Sequence, residues 1–274
     1  MNVVHAIILG AIQGITEFIP ISSSAHLVIA SWLFGWKTPG LVFDASLHLG
    51  TLIALVAYFW REWYDAGKTW IIARRSARSE EMNTKPAITL AIPVLFACIP
   101  GGLAGILFEN AAEKALRNPM LIAIAMITLG ALLLISDLNG RKRRTMERIT
   151  PMDWIIVGIA QALAIVPGVS RSGITITAGL FCGLQREAAA KFSFLIGAPM
   201  ILGAALYELK GILVHGLPIN ELVPFLTGVL TATIIGYICI AFLLGYLKKH
   251  SAVLFVIYRL LFGIGVISVA LIRK

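Results

Sequence analysis

The chain of 274 residues is 58% hydrophobic and only 14% charged, where a soluble domain runs roughly half apolar and about a quarter charged, so a soluble enzyme is excluded. The excess of 23 Lys+Arg over 14 Asp+Glu reads as loop charge of a membrane protein, not as a nucleic-acid surface, because the dense runs Arg74-Arg75-Ser76-Ala77-Arg78 and Arg141 to Arg144 lie between apolar segments. Cys98, Cys182 and Cys239 sit in apolar stretches at unrelated spacings, which suggests neither a disulfide framework nor a zinc site.

Eight apolar blocks follow one another at about 3–34, 42–60, 86–107, 119–136, 153–184, 188–206, 222–247 and 252–272. Residues 119–136 are apolar without alternation, which rules out a transmembrane β-barrel and leaves α-helical spans. The first block has no basic start or cleavage site and carries Gln13 and Glu17 in its middle, so it reads as part of the mature protein. The first and fifth blocks, about 30 residues each, are interrupted at mid-length. One holds Glu17, Pro20, Ser22, Ser23, Ser24 and His26; the other holds Pro167, Gly168, Ser170, Arg171, Ser172, Gly173 and Thr175. Backbone broken at membrane depth is tolerated only inside protein or beside a wet cavity, so both blocks are expected to be re-entrant hairpins.

The two broken blocks also resemble each other. At an offset of 148, Gly10 and Gln13 fall on Gly158 and Gln161; at 147, Pro20, Ser23 and Gly50 fall on Pro167, Ser170 and Gly197. Each half, 1–147 and 148–274, then carries one hairpin and three crossings. An odd number of crossings forces the second half to insert upside down, giving inverted repeats around a midplane site. With the N-terminus outside, segments 61–85, 137–152, 185–187 and 248–250 are inside and hold 14 Lys+Arg. The outside segments hold six: Lys37, Lys114, Arg117, Lys210, Arg273 and Lys274. The expected fold is therefore an all-α polytopic membrane domain spanning 1–274, with six transmembrane helices, two re-entrant helical hairpins whose tips meet, and both termini outside.

Chemistry concentrates at the two interruptions. Gln13 and Glu17, four residues apart, share a helix face, and an intramembrane carboxylate is functional by default. Pro20 stops the incoming helix, and a serine hydroxyl can cap the next one. His26 would share the face of the serine hydroxyls and act as base or nucleophile, or be an ordinary interior histidine. Arg171 offers a rigid fork suited to phosphate oxygens, with Ser170, Ser172, Thr175 and a new helix N-terminus adding donors. The alternative is that Arg171 is a structural partner of Glu17. Asp44 and His48 share a helix face as modest candidates for outer support. The Gly10/Gly14, Gly101/Gly105 and Gly179/Gly183 spacings permit close helix approach, more often internal packing than dimerisation, which leaves a homodimer open.

Two function classes fit these residues. One is an enzyme attacking a phosphate ester or anhydride whose substrate arrives from the bilayer. The other is a transporter or flippase of an anionic lipid, since inverted repeats with broken helices are transporter architecture. The combination of Glu17, Ser23 and His26 tips the balance to an enzyme, because a carrier has no use for an acid, a base and a hydroxyl nucleophile together.

At both tips the sequence resembles the undecaprenyl-diphosphate phosphatases, also called bacitracin-resistance proteins. The stretch from Gln13 to His26 is similar to the family's first motif, and Pro167-Gly168-Val169-Ser170-Arg171-Ser172-Gly173-Ile174-Thr175 matches the second, P-G-x-S-R-S-x-x-T, at every defined position. The segment Arg186 to Pro199 is also similar, and length and hydropathy agree throughout. The resemblance implies hydrolysis of undecaprenyl diphosphate, which recycles the lipid carrier of cell-wall precursors in the plasma membrane and confers bacitracin resistance. It further implies Glu17 and Gln13 as a divalent-metal or acid/base pair with Mg²⁺ or Ca²⁺, Ser23 and His26 as nucleophile and activator, and Arg171 as the diphosphate clamp. Ser170, Ser172, Thr175 and Ser24 would assist that clamp. Gln13 stands where many members carry a second glutamate, so Glu17 would bear the charged role alone; Ala25 stands where glycine is common.

Overall fold

The computed structural model describes residues 2–36, 41–76, 88–115, 118–216 and 219–273. Of the charges counted above, Lys37, Arg78, Lys85, Arg117 and Lys274 lie outside the described residues. Eleven α-helices occur among the described residues, α1 (Val3–Phe18), α2 (Ser23–Phe34), α3 (Leu41–Tyr58), α4 (Trp60–Ser76), α5 (Ile88–Ala115), α6 (Pro119–Asn139), α7 (Pro151–Ala162), α8 (Arg171–Phe181), α9 (Arg186–His215), α10 (Ile219–Leu247) and α11 (Val253–Ile272). No strand occurs among the described residues, as the apolar pattern leads one to expect.

Local chemistry sets the helix ends. Asn2 caps α1, its side chain accepting from the His5 N–H at 2.8 Å. Ile19 takes extended backbone, φ −64° and ψ 136°, because the residue before a proline is pushed out of the helical region. Thr150 and Asp153 form a capping box at α7, with Pro151 in the first turn, where its missing N–H costs nothing. Both interrupted blocks are thus helix, break, helix. The breaks fall after Phe18 and, following a short 3-10 turn over Leu163–Ile165, after Ile165. Within each block the two helices pack on each other, α1 on α2 and α7 on α8.

Among the described residues, four helices are long and apolar enough to cross a membrane: Pro119–Asn139, Arg186–Tyr207, Ile219–Leu247 and Val253–Ile272. A fifth span is supplied if Phe43–Tyr58 and Trp60–Lys68, bent by 70° at their junction, count as one. The polar segment 61–85, expected as a loop, is instead helical through Ser76. It mixes charged residues with Trp63, Tyr64 and Trp70, as do helices that lie along an interface. The outer faces of the bundle carry bare apolar side chains, such as Phe96, Ile106, Leu107 and Leu261; so continuous an apolar surface is lipid-facing. The chain is a multi-pass helical membrane protein.

Inside, Phe18, Phe59, Phe192, Phe194 and Leu133 belong to one buried cluster, with Phe18 edge-on to Phe194 at 5.4 Å. Helix α1 packs on α10, α3 on α9 and α10, α7 on α5, α5 on α9, α8 on α6 and α9, and α11 on α6. Small residues let these backbones meet. A Cβ at Gly14 would lie 2.9 Å from the Gly236 nitrogen, and one at Gly158 would lie 2.8 Å from the Ala97 oxygen. The Gly10/Gly14 spacing is therefore spent on α1 against α10, inside the molecule.

Polar ties sort the helix ends into two groups. In one, His5 stacks on Trp36 at 4.5 Å and Arg273 donates to the Trp32 and Leu33 carbonyls, joining the start of α1 with the ends of α2 and α11. In the other, Asp137 accepts from Arg186 at 2.5 Å and from the Ala252 N–H at 3.0 Å. There Arg144 also binds Asp153 and the Cys182 carbonyl, Glu187 pairs with Lys248, and Glu62 with Lys191. Those contacts gather the ends of α6, α8 and α10 with the starts of α4, α7, α9 and α11.

Candidate active site

Both broken helices restart in the same unusual conformation. Ser22 has φ 78° and ψ 99°, Ser170 has φ 71° and ψ 110°, and each is the N-cap of the helix that follows. The Ser22 Oγ accepts from the Ala25 N–H at 3.4 Å and the Ser170 Oγ from the Gly173 N–H at 3.1 Å. Each hydroxyl also lies 3.3 Å from that of the serine two residues on, Ser24 and Ser172 respectively. Positive φ in a residue with a side chain costs on the order of 1–3 kcal/mol and persists where the surroundings impose it. The geometric counterpart of Ser170 is Ser22, at an offset of 148, whereas the residue pattern paired Ser170 with Ser23. In a run of three serines identity cannot choose the register; the cap geometry does.

The residue after each cap bonds Glu17, Ser23 from within the same hairpin and Arg171 from the other. The Ser23 hydroxyl donates to Glu17 Oε2 at 2.7 Å, and Arg171 Nη2 donates to Glu17 Oε1 at 2.7 Å. Gln13 Nε2 donates to Oε2 at 3.2 Å from the turn before, on the helix face expected from the spacing. Arg171 Nη1 reaches the Ser193 carbonyl of α9 at 3.1 Å. The two tips do meet, and the ion pair that would make Arg171 structural is present. The same guanidinium nevertheless borders open space.

That space is a cavity of about 250 Å³. Its polar side includes Glu17, Ser22, Ser23, Ser24, His48, Gln161, Ser170 and Arg171; its apolar side is built from α5 at Gly101 and Gly105, the turn at Ala162 to Ile165, and α9 at Met200, Ile201 and Ala204. Helices α2 and α8 both start at its wall, so the first-turn N–H groups that no helical carbonyl satisfies lie beside it and favour an anion. A hydroxyl bonded to a carboxylate has the contact that a nucleophile makes with its base. Arg171 and two helix N-termini provide for charged oxygens, and the apolar side provides for a hydrocarbon group.

Several expected residues stand elsewhere. His26 does not bond Ser23: its Nδ1 donates to the Ser22 carbonyl at 2.7 Å, its Nε2 bonds the Tyr258 hydroxyl at 2.7 Å, and its ring packs on Phe262. Since a carbonyl only accepts, Nδ1 carries a proton. Thr175 Oγ1 bonds Ser193 Oγ at 2.6 Å and the Arg171 carbonyl at 2.8 Å; Ser172 reaches the Ile19 carbonyl at 3.4 Å. Both are buried joints between elements and do not line the cavity. His48 does line it, while Asp44 is not among the lining residues. Sequence reasoning missed Tyr258, Ser193 and Arg259. Only Arg259 left a signal, a charge inside the apolar block 252–272.

Comparison with known proteins agrees over the full length. A family model described as bacitracin resistance protein BacA matches residues 6–265. A protein of Moorella thermoacetica named undecaprenyl-diphosphatase is 48% identical over 275 residues, covering 100% of each chain. Proteins of the same name from Pelobacter propionicus and Pelotomaculum thermopropionicum are each 46% identical, covering 99% and 100% of this chain and 98% and 99% of their own. With both tips, the spacing between them and the whole helical frame accounted for, the chain belongs to the BacA family of bacitracin resistance proteins.

Proposed function

We propose that this membrane protein hydrolyses undecaprenyl diphosphate to undecaprenyl phosphate and inorganic phosphate, recycling the lipid carrier of cell-wall synthesis and so conferring resistance to bacitracin. The full-length similarity to proteins named undecaprenyl-diphosphatase supports the substrate. The observation that carries the chemistry is the chain Ser23–Glu17–Arg171, joined by two contacts of 2.7 Å at the cavity wall.

In this reading Arg171 and the first-turn amides of α2 and α8 hold the phosphate oxygens, and Ser24 and Ser170 add hydroxyls. The Ser23 oxygen attacks the terminal phosphorus while its proton passes to Glu17 Oε2. The anhydride P–O bond breaks, and undecaprenyl phosphate leaves with the electron pair. Water then cleaves the phosphoserine, which restores the Ser23 hydroxyl. Positioning and electrostatics carry most of such a transfer. His26, held by Tyr258, supports the carbonyl of the strained cap Ser22 rather than activating Ser23.

The donor set also suits a hard divalent cation, Mg²⁺ or Ca²⁺, which takes oxygen ligands and shares them with substrate phosphates. Glu17 is a carboxylate at the cavity, and the Gln13 Oε1 beside it is buried with no hydrogen-bond partner. These two would hold the ion, whose contribution is to neutralise charge on the diphosphate oxygens.

The membrane arrangement belongs to the same proposal. Helices α3, α5, α6, α9, α10 and α11 cross the bilayer of the plasma membrane, and α1–α2 and α7–α8 enter from opposite sides. The halves 1–147 and 148–274 form inverted repeats, and both termini lie outside. Reciprocal packing supports it, with α1 on α10 answered by α7 on α5, and α3 on α10 by α9 on α5. So does the sorting of helix ends, since the open end of the first hairpin ties to the end of α11 and that of the second sits near its start.

Phosphate release from undecaprenyl diphosphate by the purified protein tests the site. Glu17→Ala and Arg171→Ala should each abolish release while the protein stays folded in detergent, and Arg143→Ala should leave it unchanged. Wild-type rates in both tip variants would contradict the assignment.

A further inference from the structure

Beyond the cavity, the buried charge of Arg259 takes no part in the chemistry described above. Arg259 of α11 is only 1% exposed, and among the described residues no carboxylate pairs with it. Its donors go to backbone carbonyls of three separate segments. Nε donates to Met126 at 3.0 Å, Nη1 to Pro20 at 3.2 Å, and Nη2 to Gly168 at 2.9 Å and Val169 at 3.1 Å. A buried charged side chain is costly unless fully hydrogen-bonded, so these four contacts are the condition of its being there.

The carbonyls it selects are informative. Pro20 lies two residues before Ser22, and Gly168 and Val169 lie two and one before Ser170, the two serines with positive φ. Ser23 and Arg171 directly follow those caps. A rotation at either cap therefore swings the hydroxyl or the guanidinium away from Glu17. Two glycines make room for the clasp. A Cβ at Gly130 of α6 would lie 3.3 Å from the Arg259 Cβ and 3.4 Å from Nε, and one at Gly173 of α8 would lie 3.1 Å from Nη1.

We propose that Arg259 is a positioning residue for the hydrolysis. Its single guanidinium ties both hairpin tips to α6 and holds the strained caps Ser22 and Ser170, so that Ser23 and Arg171 meet on Glu17. It touches neither the cavity nor a reacting atom; it acts through the backbone. This role rests on the proposed phosphatase activity.

The test separates geometry from charge. Arg259→Lys keeps the cation but loses the planar fork, and a compact ammonium with three donors cannot span the four carbonyls that three guanidinium nitrogens reach. Its kcat should fall at least tenfold with KM within threefold of wild type, in protein that unfolds cooperatively in detergent. Gly130→Ala reaches the same residue from α6 without changing any cavity side chain, and serves if the lysine variant does not fold. It should lower kcat severalfold at unchanged KM, while Gly265→Ala, whose added methyl meets open space on α11, behaves as wild type. A kcat within twofold of wild type in the folded variants, or a loss carried by KM alone, overturns the positioning role and leaves the phosphatase reading standing. Absence of phosphate release from the wild-type protein overturns both.

Discussion

Arg171 owes its place to the lack of a side chain across from it. A Cβ at Gly197 of α9 would fall 1.7 Å from Nη1, so Gly197→Ala must drive the guanidinium off Glu17 and the Ser193 carbonyl. Displacing a group that positions substrate by about 1 Å costs roughly 100-fold in rate, and a loss of that order is expected in phosphate release. Gly245→Ala, where an added methyl meets nothing within 4 Å, should be silent. At this scale the sequence was informative where chemistry follows spacing. Gln13 and Glu17 on one face, a serine after the break and Arg171 in a polar tip were all readable, because such residues at membrane depth have few structural uses. The partner of Ser23 was not, since helix spacing placed His26 near it while the actual bond runs back across the break to Glu17. Tyr258 is 232 residues from His26, and no local pattern announces a pairing of that range.

Among the elements, buried ties at the helix ends hold the frame. Asp137 is fully buried at the end of α6 and accepts from Arg186 of α9 and from the Ala252 N–H before α11; the Lys142 ammonium binds its carbonyl. Asp137→Ala takes the acceptor from a partly exposed guanidinium and from the buried Ala252 amide, and a buried donor left unsatisfied costs about 1–3 kcal/mol. Thermal unfolding in detergent should show a clear fall in midpoint; an unchanged midpoint would mean the tie contributes nothing. Apolar block lengths revealed the helices, and Pro20 with the serines revealed the first break. The 70° bend between α3 and α4 escaped notice, because α4 is too polar for a hydropathy window and its aromatic face becomes apparent only once it is helical. Arg144 was counted as loop charge, yet it binds Asp153 at the start of α7 and the Cys182 carbonyl at the end of α8. Charge counting registers a residue's sign and says nothing of its partner.

The whole molecule brings two broken helices to one cavity, and in the proposed arrangement they enter from opposite sides. The proposed orientation makes a direct prediction. A cysteine replacing Arg273, at the end of α11, should react with a membrane-impermeant reagent added outside intact cells. One replacing Arg143, beyond α6, should react only after the inside is opened. Outside labelling at position 143 would overturn the orientation. The proposed repeat rests in the sequence on only a handful of matched glycines, glutamines and prolines, because lipid-facing positions need only be apolar and carry no register. Reciprocal packing of α1 on α10 and α7 on α5 gives that weak match its physical sense.

The most direct measurement of the central claim is phosphate release from undecaprenyl diphosphate by purified wild-type protein, with Mg²⁺ or Ca²⁺ supplied and then removed by chelator, beside Glu17→Ala. The account predicts release that requires both the divalent ion and Glu17, with undecaprenyl phosphate as the lipid product. Well-folded wild-type protein that releases no phosphate would contradict it and assign the cavity, with Arg171 as its anion site, to transport.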